Sequence, residues 1–498
     1  MTLHLVGVLT MALLLGGCGV FGPRPVVPTR VPTRSPNTPT VAPTHTAVPL
    51  VQPTALPVLS TPPNSGLSVQ GPWLLAAGEK EVTVYNADSS GKLVVPIGSL
   101  LDGRSDLQSG RMPGGAWLAL RTVKNVETRT GMELILFHLP DGQIHPLTPL
   151  FAQDQDSSTT NPVKEAVAAP GALLWSPESR YLAFVAALDG PNADVYLLDS
   201  QTNSLRRLSA GPKQAYPLAW TPDGNQLIYA EGSGCSGSGC QVDSVWIALA
   251  DSGQPRKLYN AAESRDETVL GFWGWRQMIV YSEDAVGKYN IRRIDLDTGE
   301  EFSLYFGHFS SAAFDPTSLT AAWTVPGDLI LNDFSRNAAG LDMISAGVPN
   351  FQFIRRGDWR HVVWLAETRS FALGSGQMEG TVLIHADGRS VSYPDENWWI
   401  HPPQPSPDGK LLAFIGGGSG IMKETTGLRV YDASGHHIQT FTMAPVEALA
   451  WTADGKALFF LSEDQIFFQP IGSRRAIIVD RQSDFDTTAP LVWLADSR

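Results

Sequence analysis

Short apolar runs that follow tight-turn sequences dominate the chain beyond residue 70. The segment Ser406–Gly409 reads Ser-Pro-Asp-Gly, and the apolar run Leu411–Ile415 follows one residue later. Proline presets φ at the second turn position, and Gly409 supplies a positive φ at little cost. Five apolar residues are too few for a helix but fit a buried strand. The pattern therefore predicts a tight turn that leads into a core strand.

The same pattern recurs along the chain and indicates the architecture. Further copies begin at Trp175, Trp220 and Trp451, each followed by a turn sequence and an apolar run. Each unit then continues through a variable loop, a second apolar strand, a tight turn and a final strand, over about 40 residues. Four strands per unit form the blade of a β-propeller, so we predict an all-β fold with a single propeller and no amphipathic helix.

These units resemble the TolB-type repeat (WD40-like, PD40). The resemblance rests on the Ser-Pro-Asp-Gly turn before Leu-Ala-Phe, the strand Asp194–Asp199 (Asp-Val-Tyr-Leu-Leu-Asp) and the closing run Leu205–Leu208 (Leu-Arg-Arg-Leu). It is clear over residues 172–209, 217–259, 401–442 and 447–480, and degenerate over 106–150, 268–306, 311–346 and 353–394. The resemblance implies the repeat but no particular function, because a Pro/Thr-rich segment stands where TolB has an α/β domain.

The two ends of the body predict how the ring closes. Residues 490–496 read like an innermost strand with its corner, whereas residues 73–95 supply outer strands without an inner one. A blade shared by both termini would remove the exposed sheet edges. Eight contiguous units and the shared one make nine, above the usual four to eight, so we predict eight blades, plus or minus one.

The first 18 residues predict a lipoprotein signal peptide. Leu3–Leu15 is almost continuously apolar, about the length of a signal peptide and short of a membrane span. The sequence Leu15-Gly16-Gly17-Cys18 resembles the lipobox of bacterial lipoproteins, although Met1–His4 contains no Lys or Arg. The resemblance implies that Cys18 is acylated, which would hold the protein extracytoplasmically on a bacterial membrane, at the cell surface or in the periplasm.

Residues 19–66 predict a disordered stalk. The segment holds 12 of the 37 prolines, interleaved with threonine, and no apolar periodicity survives in it. Such a composition favours extended polyproline-like chain and cannot bury a core. The body at 67–498 is the predicted propeller.

Charge excludes one class of partner. The whole chain has a net charge of −13, and the first 65 residues carry three arginines and no acid, which leaves −16 for the rest. A body of this charge should repel phosphate backbones, so we expect no nucleic-acid partner. We also expect a monomer.

A glycine-rich segment matches a cofactor fingerprint only formally. Gly232–Gly237 fits the pattern GxGxxG, but that site needs a helix after it, and a strand pattern follows here. Cys235 and Cys240 more plausibly form a disulfide that constrains this Gly-Ser stretch, as is common outside the cytoplasm. We expect neither a cofactor nor a metal site.

No catalytic motif is present in the sequence. A Gly-x-Ser-x-Gly elbow and a His-Glu-x-x-His pair are both absent, which favours a binding protein over an enzyme. Two alternatives stay open. One is a propeller enzyme, a hydrolase or lyase, with its site at the central channel. The other is a structural scaffold of the cell envelope.

Loop lengths indicate where a ligand would bind. Tight turns fall at the first and third corners of each unit, while long loops are expected at 121–131, 151–170, 231–243, 366–380, 393–403 and 416–427. Long loops on a rigid scaffold commonly carry binding sites. Within 393–403 two tryptophans stand beside acids and a histidine, so we predict contacts to a protein, peptide or glycan from Asp395, Glu396, Trp398, Trp399 and His401. Packing between blades is the alternative role of the tryptophans.

Overall fold

The computed structural model confirms a single β-propeller. It describes residues 67, 72–78, 80–86, 90–101, 106–107, 109–139, 141–152, 161–209, 211–236, 239–283, 288–325, 340–347, 352–375, 380–385, 388–396, 398, 401–416, 427–481 and 491–494. The predicted signal peptide and stalk lie outside the described residues. In the described part, nine four-stranded antiparallel blades form the ring. This count falls within the predicted eight plus or minus one.

One blade contains both ends of the body. This closing blade consists of β1 (Trp73–Ala77), β2 (Glu81–Asn86), β3 (Lys92–Pro96) and the last strand, β35 (Val492–Leu494). β35 is innermost and pairs antiparallel with β1, with Leu74 opposite Trp493. The predicted shared blade is therefore confirmed.

The next four blades follow in chain order. Blade 1 is β4 (Ser99–Leu100), β5 (Trp117–Val123), β6 (Glu133–His138) and β7 (Ile144–Pro149). Blade 2 is β8 (Leu173–Trp175), β9 (Tyr181–Ala186), β10 (Asp194–Asp199) and β11 (Ser204–Arg207). Blades 3 and 4 together comprise β12 (Gln214–Trp220), β13 (Gln226–Ser236), β14 (Gly239–Leu249), β15 (Pro255–Trp273), β16 (Gln277–Glu283), β17 (Tyr289–Asp295) and β18 (Glu301–Gly307). They join because β15 is both the outer strand of blade 3 and the inner strand of blade 4.

Four more blades complete the ring. Blade 5 is β19 (Ser311–Asp315), β20 (Thr320–Val325), β21 (Gly340–Ser345) and β22 (Gln352–Arg356). Blade 6 is β23 (Trp359–Leu365), β24 (Ser370–Ser375), β25 (Thr381–His385) and β26 (Ser390–Tyr393). Blade 7 is β27 (Gln404–Pro405), β28 (Leu411–Ile415), β29 (Leu428–Asp432) and β30 (His437–Thr442). Blade 8 is β31 (Ala448–Trp451), β32 (Ala457–Ser462), β33 (Gln465–Pro470) and β34 (Ile477–Arg481). Each degenerate repeat thus forms a real blade, including the one that we expected to be surplus.

The repeated tryptophans connect neighbouring blades. The indole Nε1 of Trp220 donates a hydrogen bond to the carbonyl of Leu174 on the inner strand of blade 2, at 3.0 Å. Trp451 donates in the same way to Gln404 on the inner strand of blade 7, at 2.9 Å, and Trp175 donates to Gly110 at 2.8 Å. Packing between blades buries the apolar ring, and a hydrogen bond to the neighbouring blade satisfies its single donor.

A short helix departs from the all-strand prediction. Helix α1 (Asn161–Ala168) lies in the connection between blades 1 and 2 and packs against β12 and β13. Eight residues are too few for a helix to be stable by itself, so its stability comes from tertiary packing. Val163, Ala166 and Val167 are buried in the core cluster, and periodicity over so short a stretch gave no clear signal.

A fully buried ion pair holds the end of this helix. The guanidinium of Arg121 pairs with Asp106 at 2.6 Å, and neither side chain is exposed to solvent. Its Nη1 donates to the carbonyls of Val167 and Ala169, at 2.6 and 3.0 Å. Those carbonyls lie at the carboxyl end of α1 and have no intrahelical partner, so Arg121 satisfies them.

Closure of the ring also uses a polar contact beyond strand pairing. The hydroxyl of Tyr85 on β2 donates to Asp480 on β34 at 2.7 Å, and Lys92 on β3 pairs with the same carboxylate at 2.9 Å. Burial alone would raise the pKa of Asp480, but the hydrogen bonds from Lys92 and Tyr85 outweigh it and hold the pKa below its usual value. Blade 8 and the closing blade are thereby joined on their outer strands.

Deleting residues 487–498 should destabilise the whole propeller. The deletion removes β35 and the buried Leu491, and the loss of one core leucine alone typically costs about 2–5 kcal/mol. It also leaves the inner edge of β1 unpaired. Thermal melting of the truncated chain, compared with a chain that lacks only 496–498, measures the effect. Equal melting temperatures would contradict closure by β35.

Replacing Asp106 with Asn should destabilise the protein by about 3–5 kcal/mol, since a charged Arg121 would stay buried without its counter-ion. The double variant Asp106→Leu/Arg121→Met should recover much of that loss, because it buries no charge. Denaturant unfolding of both variants checks this. A double variant less stable than Asp106→Asn would show that the contacts of Arg121 with α1 outweigh the ion pair.

Candidate functional site

The connections of the blades differ between the two faces of the ring. We name the face with the first and third corners the tight-turn face, with connections such as 176–180 and 406–410. The opposite, long-loop face carries the second corners and the crossings between blades, such as 124–132, 187–193 and 443–447. Antiparallel order within each blade places these two classes of connection at opposite strand ends, as predicted.

Two of the expected long loops are wrong in detail. Residues 231–243 are mostly strand, because β13 and β14 continue beyond the other blades and pair Cys235 with Cys240 across the hairpin. The glycines and serines predicted a loop there, but pairing of the two strands satisfies the backbone hydrogen-bonding groups and stabilises the extended conformation. Residues 366–380 contain the whole of β24. The disulfide between Cys235 and Cys240 stays a prediction, since only the backbone of these residues is described.

Carboxylates at the tight-turn face are stabilised in their ionised form. Hydrogen bonds from Lys410 and Ser406 lower the pKa of Asp408 to about 2. The hydroxyl of Ser434 is the main cause of a pKa of about 2 at Asp432. Similar turn contacts hold the pKa below its usual value at other corners, outweighing burial where it opposes them: Asp199, Asp223, Asp295 and Asp454. These aspartates serve their own turns.

Four carboxyls at the long-loop face show the opposite shift, unlike Asp480, whose pKa is lowered. Burial raises the pKa of Asp194 and of Glu396 to about 7, despite nearby arginines. Burial also raises the pKa of Glu231 and Glu447. All four residues lie at the long-loop ends of their blades. Carboxyls whose pKa is raised by desolvation are common at functional sites, so this face is the candidate site.

Glu396 lies between blades 6 and 7. Its side chain is fully buried and accepts a hydrogen bond from the hydroxyl of Tyr431 at 2.7 Å. The guanidinium of Arg429 approaches it at 3.4 Å and donates more closely, at 2.7 Å, to the carbonyl of Gly416. The backbone carbonyl of Glu396 accepts from Thr381 at 2.7 Å. The crossing from blade 6 to blade 7 is thus fixed by polar contacts at both its side chain and its backbone.

Trp398 continues this crossing over blade 6. The indole is 6% exposed and lies against Gly374, where an added Cβ would come within 2.8 Å of the ring. Its centroid is 5.0 Å from that of His361 on β23. A glycine is needed at 374 for this close approach. The surroundings of Trp398 give it a packing role, the alternative that the sequence left open.

The other predicted contact residues divide by exposure. Asp395 is exposed and His401 is half-buried, whereas Glu396 is buried. Trp399 lies outside the described residues. The structure brings Glu396 and Trp398 into one crossing, and Asp395 is the exposed acid of the predicted set. Ligand contact by these residues stays a prediction.

A second polar cluster on this face was missed by sequence reasoning. Arg207 pairs with Asp194 at 2.6 Å and with Asp189 at 3.0 Å. The hydroxyl of Tyr196 donates to Asp189, and that of Ser209 donates to Asp194 at 2.8 Å. Asp194 and Arg207 both belong to the segments that define the repeat. The repeat pattern does not indicate, however, that their side chains contact each other across β10 and β11.

The inner strands bear on the alternative of a channel enzyme. The half-buried residues on β12, β15 and β19 are mostly apolar, such as Leu218, Phe272 and Phe314. Among the described residues, no group of three or more His, Cys, Asp or Glu side chains could hold a metal ion. The one described helix is far too short to cross a membrane.

Comparison with known proteins gives limited sequence similarity. No family model matches the chain. Over 108 residues it is 26% identical to a protein of Bacillus subtilis (strain 168) described as an uncharacterized peptidase, YuxL. That alignment covers 22% of this chain and 16% of the relative, so the chain spans about a sixth of that protein's length.

Solved structures are similar at the level of the fold. A crystal structure of the eukaryotic initiation factor has a TM-score of 0.51 at 13% identity, covering 83% of this chain and 100% of that one. TolB from Acinetobacter baumannii is similar with a TM-score of 0.30 at 13% identity, over 65% of this chain and 78% of that one. Such identities speak for the fold alone. With the four-stranded repeats described above, the chain is a β-propeller of nine blades.

Proposed function

We propose that this protein is a membrane-anchored, extracytoplasmic β-propeller lipoprotein that binds a protein, peptide or glycan on its long-loop face. The observation that carries the binding proposal is the concentration of desolvated carboxyls on that face, at Asp194, Glu231, Glu396 and Glu447. The anchoring proposal rests on the sequence around Cys18.

The geometry supports a preformed binding face. Glu396, Tyr431 and Arg429 fix the crossing between blades 6 and 7, so the exposed Asp395 projects from a rigid base. A binding group that is already ordered loses less conformational entropy when a ligand arrives. The strands of the blades supply this rigidity, and the long connections between them can vary in sequence and length.

Binding is favoured over catalysis by what borders the inner strands. A channel enzyme would need titratable groups that converge on one reacting atom. Polar clusters of the described residues lie instead at the junctions within and between blades, where Glu396, Asp194 and Glu267 each have a tyrosine or arginine partner. Apolar and aromatic residues on β12, β15 and β19 suit contact with a macromolecular or sugar surface better than proton transfer.

Photo-crosslinking should locate the ligand on one face. A photo-reactive amino acid at Asp395 should capture a partner in intact cells, because this residue is exposed on the long-loop face. The matched control is the same substitution at Glu367, which is exposed on the tight-turn face of the same blade. Mass spectrometry of the adduct then distinguishes a protein, a peptide and a glycan. Adducts from Glu367 and none from Asp395 would refute the proposed face.

Replacing Cys18 with Ser should release the protein from the membrane fraction, since a serine lacks the thiol that carries the acyl chain. Each buried methylene of that chain contributes about 0.8 kcal/mol of membrane affinity. The control variant Cys240→Ser should stay with the membrane. Fractionation followed by immunoblotting measures both, and a Cys18→Ser protein that still sediments with the membrane would contradict the lipid anchor.

A further inference from the structure

A cavity of 250 Å³ lies between blades 2 and 3 on the tight-turn face, away from the proposed ligand face. Its walls come from the start of β9, from β10 and β11 with the turn between them, and from the turn after β14. Pockets for drug-sized ligands measure roughly 300–1,000 Å³, so this cavity suits a smaller molecule. Its lining is polar and contains two arginines, two aspartates and a tyrosine.

One arginine and one aspartate of the lining form an ion pair. Arg180 donates to Asp199 Oδ2 at 2.9 Å, and the other oxygen of Asp199 accepts from the backbone N–H groups of Gln201 and Thr202. Both carboxylate oxygens are therefore occupied. This pair forms a wall of the cavity and leaves no charge for a ligand.

The second arginine has a different environment. Arg206 is half-buried, and its Nη1 donates to the backbone carbonyl of Asp251. Among the described residues it forms no ion pair with a carboxylate. Burial lowers the pKa of this guanidinium, and the nearby charges of Asp251 and Asp199 offset that effect only in part. Arg206 lines the cavity, so its guanidinium retains donors for a ligand there besides the one bonded to Asp251.

Tyr181 offers a neutral donor beside Arg206. Its ring is held between Trp220, stacked at 6.1 Å, and the guanidinium of Arg180, 4.7 Å from the centroid. The residue is 6% exposed and lines the cavity, and no hydrogen bond from its hydroxyl to another described residue is found. The hydroxyl is therefore available to donate to a molecule in the cavity.

We propose that this cavity binds a small monocarboxylate, with Arg206 as its charge partner and the hydroxyls of Tyr181 and Ser204 as neutral donors. A guanidinium matches the two oxygens of a carboxylate in a fork geometry. The hydroxyls of Ser204 and Thr202 form one hydrogen bond with each other, at 2.9 Å. That bond uses only one of their two O–H groups, so the other can donate to a ligand.

The charges of the lining favour a carboxylate over a phosphate. Arg180 and Arg206 are balanced by Asp199 and Asp251, so the cavity carries no net positive charge. Asp251 is exposed, and no salt bridge to its carboxylate is found among the described residues. A dianion held by Arg206 would meet this negative charge, whereas a monoanion places less charge near it.

Calorimetric titration of the full chain with acetate, lactate, gluconate and inorganic phosphate tests the proposal. The carboxylates should bind with a dissociation constant on the order of 1 mM, and phosphate should bind more weakly. Arg206→Gln should weaken carboxylate binding about tenfold or more, and Tyr181→Phe about threefold, because a charged and a neutral hydrogen bond are lost respectively. Arg206→Lys, which keeps the charge but loses the fork, should fall between wild type and Arg206→Gln.

Arg276→Gln is the matched control, since Arg276 is an exposed arginine on the same face and outside the cavity. It should bind the carboxylates like wild type. If Arg206→Gln lowers the melting temperature, Tyr181→Phe still tests the cavity, because it keeps the ring stack and removes one hydroxyl. Three results would each overturn the proposal. Carboxylates could fail to bind even at a concentration ten times the expected dissociation constant, Arg206→Gln and Tyr181→Phe could both bind them like wild type, or phosphate could bind more tightly than the carboxylates.

Discussion

Pairing of the first strand of the body with the last is the constraint on which the ring depends. Each blade buries its faces against its two neighbours, so a missing inner strand would expose core on both sides and leave the backbone edge of β1 unpaired. β1 and β35 are separated by the entire body, yet they pair in register through Leu74 and Trp493. Every other blade can remain an ordinary local meander because this one long-range contact holds the circle closed.

Charged groups are placed at blade junctions in a recurring way. Tyr85, Asp480 and Lys92 meet between blade 8 and the closing blade. Between blades 3 and 4, Arg292 pairs with the buried Glu267 at 2.6 Å, and the hydroxyl of Tyr259 also reaches that carboxylate, at 3.3 Å. Tyr431, Glu396 and Arg429 repeat the arrangement between blades 6 and 7. A carboxylate that loses its water in a junction thus gains a hydroxyl and a cation there.

The two faces consequently differ in electrostatic character. Turn aspartates such as Asp408 and Asp432 are ionised and bound to their own corners, so they have little remaining capacity for a ligand. Carboxyls such as Asp194 and Glu396 lie where desolvation brings the pKa to about 7, close to neutrality. Both side chains are fully buried, so a ligand on the long-loop face could influence their ionisation only through the field of its charge.

Local chemistry explains why the fold could be predicted from the sequence. Turn residues such as Pro407 and Gly409 determine a turn of four residues, and the apolar pattern of a strand lies within that strand. Short segments of sequence are therefore enough to predict the blades, their order and the closing strand. The helix α1 was missed because its stability comes from Arg121 and from core packing that no local pattern contains. The strands through Cys235 and Cys240 were missed because pairing overrode a loop-like composition.

At the candidate site, the difference between what the sequence predicts and what only the tertiary structure determines is larger. The sequence by itself identified the face, through loop lengths, and it singled out Glu396 and Trp398 as unusual. Only the tertiary structure decided that Glu396 bridges two blades and that Trp398 packs against Gly374, since both contacts join residues from different strands. Burial raises the pKa of Glu396 and lowers that of Arg206. It is a property of the assembled blades and cannot be read from a linear pattern.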